Sequence, residues 1–237
     1  MKVKTSQGDV IIDIPKKHTK VGIKHSGGLD STIIAYMLAL YKKNERPEID
    51  LIPITLTQST KPFQWMYANM SQRKITELTG VEFGKHYSRA AETQHVNQEA
   101  TKFMNYLVDN NIVDSWFYGI TLNPPLDAFP DQSGRNVDRD DLATQTPGVD
   151  IGKRATSWRP FANIDKKGVC EVYESLNVLD ELFPLTHSCE NVNADTMMQL
   201  DLSRHCGLSC CWWCQERLWG FGKLDGLSVE QIKPSRS

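Results

Sequence analysis

Lys20-Val21-Gly22-Ile23-Lys24-His25-Ser26-Gly27-Gly28-Leu29-Asp30-Ser31-Thr32 is the stretch that decides how the rest of the chain is read. Lys20 to His25 reads as a strand, and from Asp30 to Lys42 the apolar residues Ile33, Ile34, Met37, Leu38 and Tyr41 recur at helical spacing. Between the two stands Ser26-Gly27-Gly28. Paired glycines let a backbone approach an anion and adopt conformations that a Cβ would forbid. The first amides of the following helix then point at the anion with the helix dipole behind them. Ser26, Ser31 and Thr32 add hydroxyl donors, Leu29 sits at the turn, and Asp30 is placed to hold Mg²⁺ through water or to orient the loop. A plain turn, with Asp30 or Ser31 merely capping the helix, is the bland alternative. The full Ser26-to-Ser31 string in strand-to-helix context favours a nucleotide loop. It is neither a Walker A loop, since no Gly-Lys-Ser/Thr follows, nor a Gly-x-Gly-x-x-Gly dinucleotide fingerprint.

Outward from the loop the same alternation repeats. Residues 9 to 14 read as a short strand, at an edge or in a hairpin with the first few residues, and Asp50 to Leu56 as a buried one. Met66 to Leu78 reads as a helix stopped by Gly80, Ala90 to Asn110 as an amphipathic helix, and Ser115 to Leu122 as a further strand. Strands separated by helices imply an α/β fold with a parallel sheet covered on both faces. Asn123 to Trp158, rich in Pro, Gly, Asp and Arg, reads as a long irregular segment, either a substrate loop or a disordered one, and Val169 to Leu176 as a short amphipathic helix. The expected organisation is an ATP-binding α/β domain over residues 1–185 and a cysteine-rich segment over 186–237.

The chain has 237 residues, 40% of them hydrophobic, enough for one globular core. Its net charge of -2 provides no global field for nucleic acid or an anionic membrane. No apolar run approaches the ~20 residues of a membrane span, and the first residues lack the apolar region of a secretory signal, so a cytoplasmic location is expected. Five of the six cysteines fall between residues 189 and 214, which favours a metal site over a disulfide framework. Cys211-x-x-Cys214 has knuckle spacing, and Cys206 and Cys189 complete a four-thiolate set for Zn²⁺. Cys206, Cys210 and Cys214 form an alternative subset, and His205 or His187 can replace one sulfur. A redox pair, a persulfide-carrying cysteine, or plain buried thiols among the tryptophans are the competing readings; Cys170 reads as core.

Ser26-Gly27-Gly28-Leu29-Asp30-Ser31 resembles the signature of the PP-loop ATP pyrophosphatases, adenylating synthetases and tRNA sulfurtransferases that cleave ATP to AMP and pyrophosphate. That resemblance implies a doubly wound α/β sheet, a loop on the pyrophosphate end of ATP, and an adenine contact near Ile54-Thr55-Leu56. The C-terminal half is similar to the 7-cyano-7-deazaguanine synthases of that superfamily. The similarity is carried by Trp158-Arg159-Pro160-Phe161 running to Asp165-Lys166-Lys167, by Leu185-Thr186-His187-Ser188-Cys189, and by the cysteines with Gln215-Glu216-Arg217 behind them. Tyr118-Gly119-Ile120-Thr121 and Ala128-Phe129-Pro130-Asp131 are similar to the substrate segment of that family. The family's aromatic-Gly-Gln run after the second strand is replaced here by Leu56 to Phe63, its Pro-Gly-Arg-Asn segment is absent, and its first cysteine spacing is lengthened. The resemblance implies ATP-dependent conversion of 7-carboxy-7-deazaguanine and ammonia to the nitrile. Lys166 or Lys167 would stand at the α-phosphate or substrate carboxylate, Gly119 beside the substrate, and Asp127 or Asp131 on its guanine-like edge. It also suggests a homodimer. An adenylating tRNA-thiolation enzyme, a synthetase that stops at the amide, and a zinc-stabilised binding protein with a degenerate loop are the rivals.

Overall fold

The computed structural model describes residues 1–58, 63–92, 95–129, 133–135, 139, 148–151, 155–189, 211–224 and 227–228. β1 (Lys2–Thr5) and β2 (Gly8–Ile11) form the expected N-terminal hairpin. β3 (Lys20–Lys24) leads into α1 (Leu29–Asn44), β4 (Asp50–Gln58) into α2 (Phe63–Thr79), and β5 (Tyr87–Ala91) into α3 (Val96–Asp109). β6 (Ser115–Phe117) follows, then β7 (Gly148–Ile151) and β8 (Ala155–Trp158). The chain continues through α4 (Lys166–Ser175), α5 (Leu179–Leu182), a 3-10 turn at Phe183–Leu185, α6 (Trp212–Phe221) and a small pair, β9 (Lys223–Leu224) with β10 (Leu227–Ser228).

The main sheet has the order β5-β4-β3-β6-β8-β7, with five parallel strands and an antiparallel β7 at one edge. Strand order therefore reverses between β3 and β6. This is the doubly wound architecture expected from the sequence, and its ligand crevice lies beyond the carboxyl ends of those two strands. Two strands differ from the sequence reading. β5 lies where a helix was expected to begin at Ala90; its Ser88, Arg89 and Ala90 are exposed, as edge pairing permits, so no apolar alternation marks it. β7 and β8 lie within the expected long loop: four residues each, they are fixed by long-range pairing, β8 with β6 and β7 with β8, and not by local pattern. Ser115 to Leu122 is strand only as far as Phe117.

One core joins α1, β3, Phe117, α4 and the hairpin residues Val3 and Val10. Phe221 of α6 enters it against Tyr173 and Phe183, at ring separations of 5.6 and 5.1 Å. On the other face of the sheet Ile52, Ile54 and Trp116 pack with Phe103, Met104 and Leu107 of α3. Gly22 belongs to this second face: a Cβ there would stand 2.9 Å from Ile54 Cδ1 and 3.1 Å from Trp116 Cβ. Among the described residues no helix is long and apolar enough to cross a membrane.

Candidate active site and thiol centre

The loop after β3 folds on its own hydroxyls. Ser31 Oγ donates to the Gly28 carbonyl at 3.2 Å, accepts from the Ser26 amide at 3.3 Å, and lies 3.2 Å from His25 Nδ1. His25 is buried behind the loop, and its Nε2 lies 2.9 Å from Ser71 Oγ of α2, whose hydroxyl donates to the Tyr67 carbonyl. Burial holds the His25 imidazole down to about 3, with His86 adding to the effect, so the ring is neutral. The two glycines have different tasks. Gly27 has φ +75°, and a Cβ there would stand 2.5 Å from Tyr67 Cβ, so it permits the close approach of α2. Gly28 borders the crevice and serves as the N-cap of α1.

No side chain caps α1. Asp30 instead turns away from the helix start and forms an ion pair with Lys166 Nζ, bridging β3's loop to the start of α4. The bland alternative made Asp30 or Ser31 the helix cap; the N-cap position is held by Gly28 instead. Asp30 Oδ1 is buried with no hydrogen-bond partner among the described residues. Gly119, directly after Tyr118, makes this meeting possible: a Cβ there would stand 2.3 Å from Asp30 Cβ.

Lys166 is held by both its neighbours in space. Asp165 caps α4 by accepting from the Lys167 and Gly168 amides at 2.8 and 3.3 Å. The hairpin tip clamps Asp165 in turn, because Gln7 Nε2 donates to its carboxylate at 2.7 Å and Gln7 Oε1 accepts its amide at 2.8 Å. Gly220 of α6 passes so close that a Cβ would stand 2.5 Å from Lys166 Cβ. Lys167, the other lysine considered from sequence, faces the Trp219 ring at 4.7 Å instead.

Together these groups line a cavity of about 320 Å³ bordered by Lys24, Ser26, Gly28, Leu29, Asp30 and Ser31. Its far wall is Phe63, Tyr118, Gly119, Lys166, His187, Cys189 and Glu216. His187 is packed between Phe63 and Tyr67 at ring separations of 4.6 and 5.0 Å, and its amide donates to the Gly27 carbonyl at 2.9 Å. Glu216 is buried against Arg139, which also donates to the carbonyls of Thr121 and Leu122 at 2.8 and 2.7 Å. Burial raises the Glu216 carboxyl above its ordinary range, while Lys166 and Arg139 pull it back.

Of the residues singled out from sequence, Ser26, Gly28, Leu29, Asp30, Ser31, Gly119, Lys166 and Cys189 meet at this cavity. Gly27 and Thr32 support it from behind, Thr32 being fully buried. Thr55 is also fully buried, donating to the His25 carbonyl at 2.5 Å with His86 Nε2 at 2.8 Å, and it does not border the cavity. Asp127 is exposed and outside the lining; Asp131 lies outside the described residues. Sequence reasoning assigned no role to Lys24, His25, Arg139 or Glu216. The one available signal was Gln215-Glu216-Arg217 directly behind the last cysteine.

Cys189, Cys211 and Cys214 are all buried, with their sulfurs within 4.8 Å of one another. Cys189 and Cys211 Sγ are 3.9 Å apart, close to the ~3.8 Å edge of a tetrahedron built on Zn–S bonds of about 2.3 Å. In the thiol form the Cys214 sulfur is pushed strongly upward by Cys189 and Cys211, the electrostatic situation that a bound cation reverses. The donor set therefore fits a thiophilic metal. Cys206, with Cys210 and His205, lies outside the described residues, while His187 is turned to the aromatic pair and Cys170 is buried on α4. Arg217 ties the centre to the fold: fully buried, it donates to Thr186 Oγ1 at 2.8 Å, Ser188 Oγ at 3.2 Å and the Phe183 carbonyl at 3.1 Å.

No family model matches the chain, and no curated protein matches it. Among solved structures it is similar to the U34-tRNA thiolase NcsA from Methanococcus maripaludis with its [4Fe-4S] cluster. The identity is 17% and the TM-score 0.47, over 76% of this chain and 62% of that one, so the chain spans less than two thirds of that protein's length.

Proposed function

We propose that this protein is an ATP-dependent adenylating enzyme of the PP-loop type, and that it converts 7-carboxy-7-deazaguanine and ammonia to the nitrile. The observation that carries the adenylating reading is the Asp30–Lys166 pair, set over the glycine loop at the point where strand order reverses. ATP fits with its phosphates on the Gly28 turn and the first amides of α1, and Mg²⁺ fits on the unused Asp30 Oδ1. When bound, Mg²⁺ would supply charge neutralisation at the phosphates. Lys166 is the cation placed to meet negative charge developing at the α-phosphate. The specific substrate rests on the deazaguanine-synthase-like segments around Arg159 to Lys167 and Leu185 to Cys189.

A carboxylate oxygen is a poor leaving group until it is adenylated. The substrate carboxylate attacks the α-phosphorus and pyrophosphate leaves; ammonia then attacks the acyl carbon and AMP leaves with a proton lost, giving the amide. The amide oxygen attacks the α-phosphorus of a second ATP and pyrophosphate leaves; loss of AMP and of both amide protons then gives the nitrile. The residues of this chain hold the reactants in line and neutralise phosphate charge. In this reading Cys189, Cys211 and Cys214, with Cys206 as the fourth ligand, hold a structural Zn²⁺ that orders the segment from residue 186 onward.

Mass spectrometry of reactions with ATP, Mg²⁺, ammonium and 7-carboxy-7-deazaguanine tests it: two AMP per nitrile are expected, and AMP without nitrile or amide overturns the substrate. One observation favours a second reading. Cys189 borders the same cavity as Asp30, so a centre with three protein thiolates and an open position would face the activated substrate, as sulfur transfer to an adenylated tRNA requires. Metal analysis separates the two. Zinc at one per chain supports the first, and iron with acid-labile sulfide the second.

A further inference from the structure

β3, β6 and β8 pair with Ile23 opposite Phe117 and Phe117 opposite Trp158. The next residue along each strand is Lys24, Tyr118 and Arg159, so these three stand side by side at the carboxyl edge of the sheet. Side chains alternate along strands. Ile23, Phe117 and Trp158 face the α1 core, so Lys24, Tyr118 and Arg159 share the opposite face, above Trp116 and α3. The Lys24 ammonium lies 5.3 Å from the centre of the Tyr118 ring, and both residues border the cavity.

This row has a charge anomaly. Arg159 is only 6% exposed, and its Nε is buried with no hydrogen-bond partner. No ion pair to Arg159 or Lys24 occurs among the described residues. Buried cations are ordinarily paired, and an unpaired guanidinium nitrogen is costly. Burial also pushes the Lys24 ammonium below its ordinary range. Lys24 and Tyr118 border the cavity, with Arg159 next in the row but outside its lining, and the carboxylates of that lining, Asp30 and Glu216, are already committed to Lys166 and Arg139. Among the described residues no carboxylate is left for this row, so an anion brought by a ligand is the partner that fits it. In the adenylating reading the phosphates of ATP take the other side of the sheet edge, at the Gly28 turn and the start of α1.

We infer that the Lys24–Tyr118–Arg159 row is the seat of the acceptor substrate's carboxylate, with the Tyr118 ring flanking the flat ring that bears it. The inference rests on the adenylating reading above and specifies where its acid binds. A planar guanidinium offers a carboxylate two parallel donors, and Lys24 closes the other end of the row as a point charge.

Calorimetric titration of the protein already loaded with α,β-methylene-ATP tests this, using 7-carboxy-7-deazaguanine and, as neutral control, 7-deazaguanine. Arg159→Gln and Lys24→Gln are each expected to weaken the acid by roughly 10- to 100-fold, the scale of a charged hydrogen bond. Affinity for the nucleotide and for the neutral ring should stay within about twofold, and Arg159→Lys should recover part of the loss. Retained nucleotide binding also reports that a variant is folded, and Lys24→Gln, at the less buried end of the row, decides the matter where Arg159→Gln does not fold. Acid affinity unchanged in both variants overturns the inference, as does an equal loss of nucleotide affinity, which would assign the row to phosphate. A wild-type protein that makes nitrile while both variants bind acid normally removes only this inference. A wild-type protein that neither binds the acid nor releases AMP with it removes the substrate reading as well.

Discussion

The glycine loop and the thiol centre border one cavity but are built in opposite ways. The loop itself, from His25 to Ser31, is seven consecutive residues, and its inner bonds are short-range hydroxyl contacts. The thiol centre joins Cys189 to Cys211 and Cys214 across more than twenty residues of chain, and within the protein its connection depends on Arg217 reaching back to Thr186 and Ser188. A contiguous site is as robust as its strand–helix unit. A site assembled across such a gap needs a ligand or a buried tie to hold it, and Arg217 is such a tie at the thiol end.

The sharpest way to break the loop leaves its own residues untouched. Gly119→Ala places a Cβ 2.3 Å from Asp30 Cβ and must displace the Asp30–Lys166 pair. AMP formation should fall by roughly 100-fold or more, since misplacement by about an ångström costs on that order, and a steady-state AMP assay checks it. Breaking the other end should cost stability and not chemistry first. Cys214→Ser is expected to abolish stoichiometric metal and lower Tm, while a chelator lowers the wild-type Tm and leaves the variant unchanged. Equal chelator sensitivity in the two proteins would place the metal elsewhere.

Acid should find the loop before it finds the thiols. His25 is held neutral in the fold down to about 3, whereas the unfolded imidazole takes up a proton near its ordinary 6.5. Between those values the unfolded chain binds more protons, so stability falls as pH drops from 6.5 toward 3 and is flat above that window. One such group contributes up to about 1.4 kcal/mol per pH unit. His86, held to about 4 by burial, adds in the same direction. Denaturant titrations across this range should show the slope, and His25→Asn should remove part of it. The smallest effect is expected from Gln7→Ala, which frees Asp165 from the hairpin clamp but leaves its cap on α4. Stability should drop by about 1 kcal/mol and AMP formation only a few-fold, through a looser Lys166.

How much of this was legible in the chain depends on how local each feature is. The β3 strand, the glycine turn and α1 were readable because period, glycine pair and helix start are adjacent in sequence. The Asp30 and Lys166 assignments came from motifs 136 residues apart; the structure pairs Lys166 with Asp30 and lays Lys167 against Trp219. β5 and β8 were missed because an exposed edge strand and a four-residue strand carry no period of their own. Thr55 was placed near adenine by the family resemblance; in the structure its hydroxyl donates to the His25 carbonyl.

The sequence by itself determined the α/β class, the strand–glycine turn–helix unit and the clustering of thiols, because each follows from the spacing of a few neighbouring residues. Only the tertiary structure decided that strand order reverses between β3 and β6, and that reversal gathers Lys24, Asp30, Gly119, Lys166, Cys189 and Glu216 around one cavity. Strand pairing is a long-range hydrogen-bond choice that local periodicity does not encode, and every functional contact across the crevice follows from it.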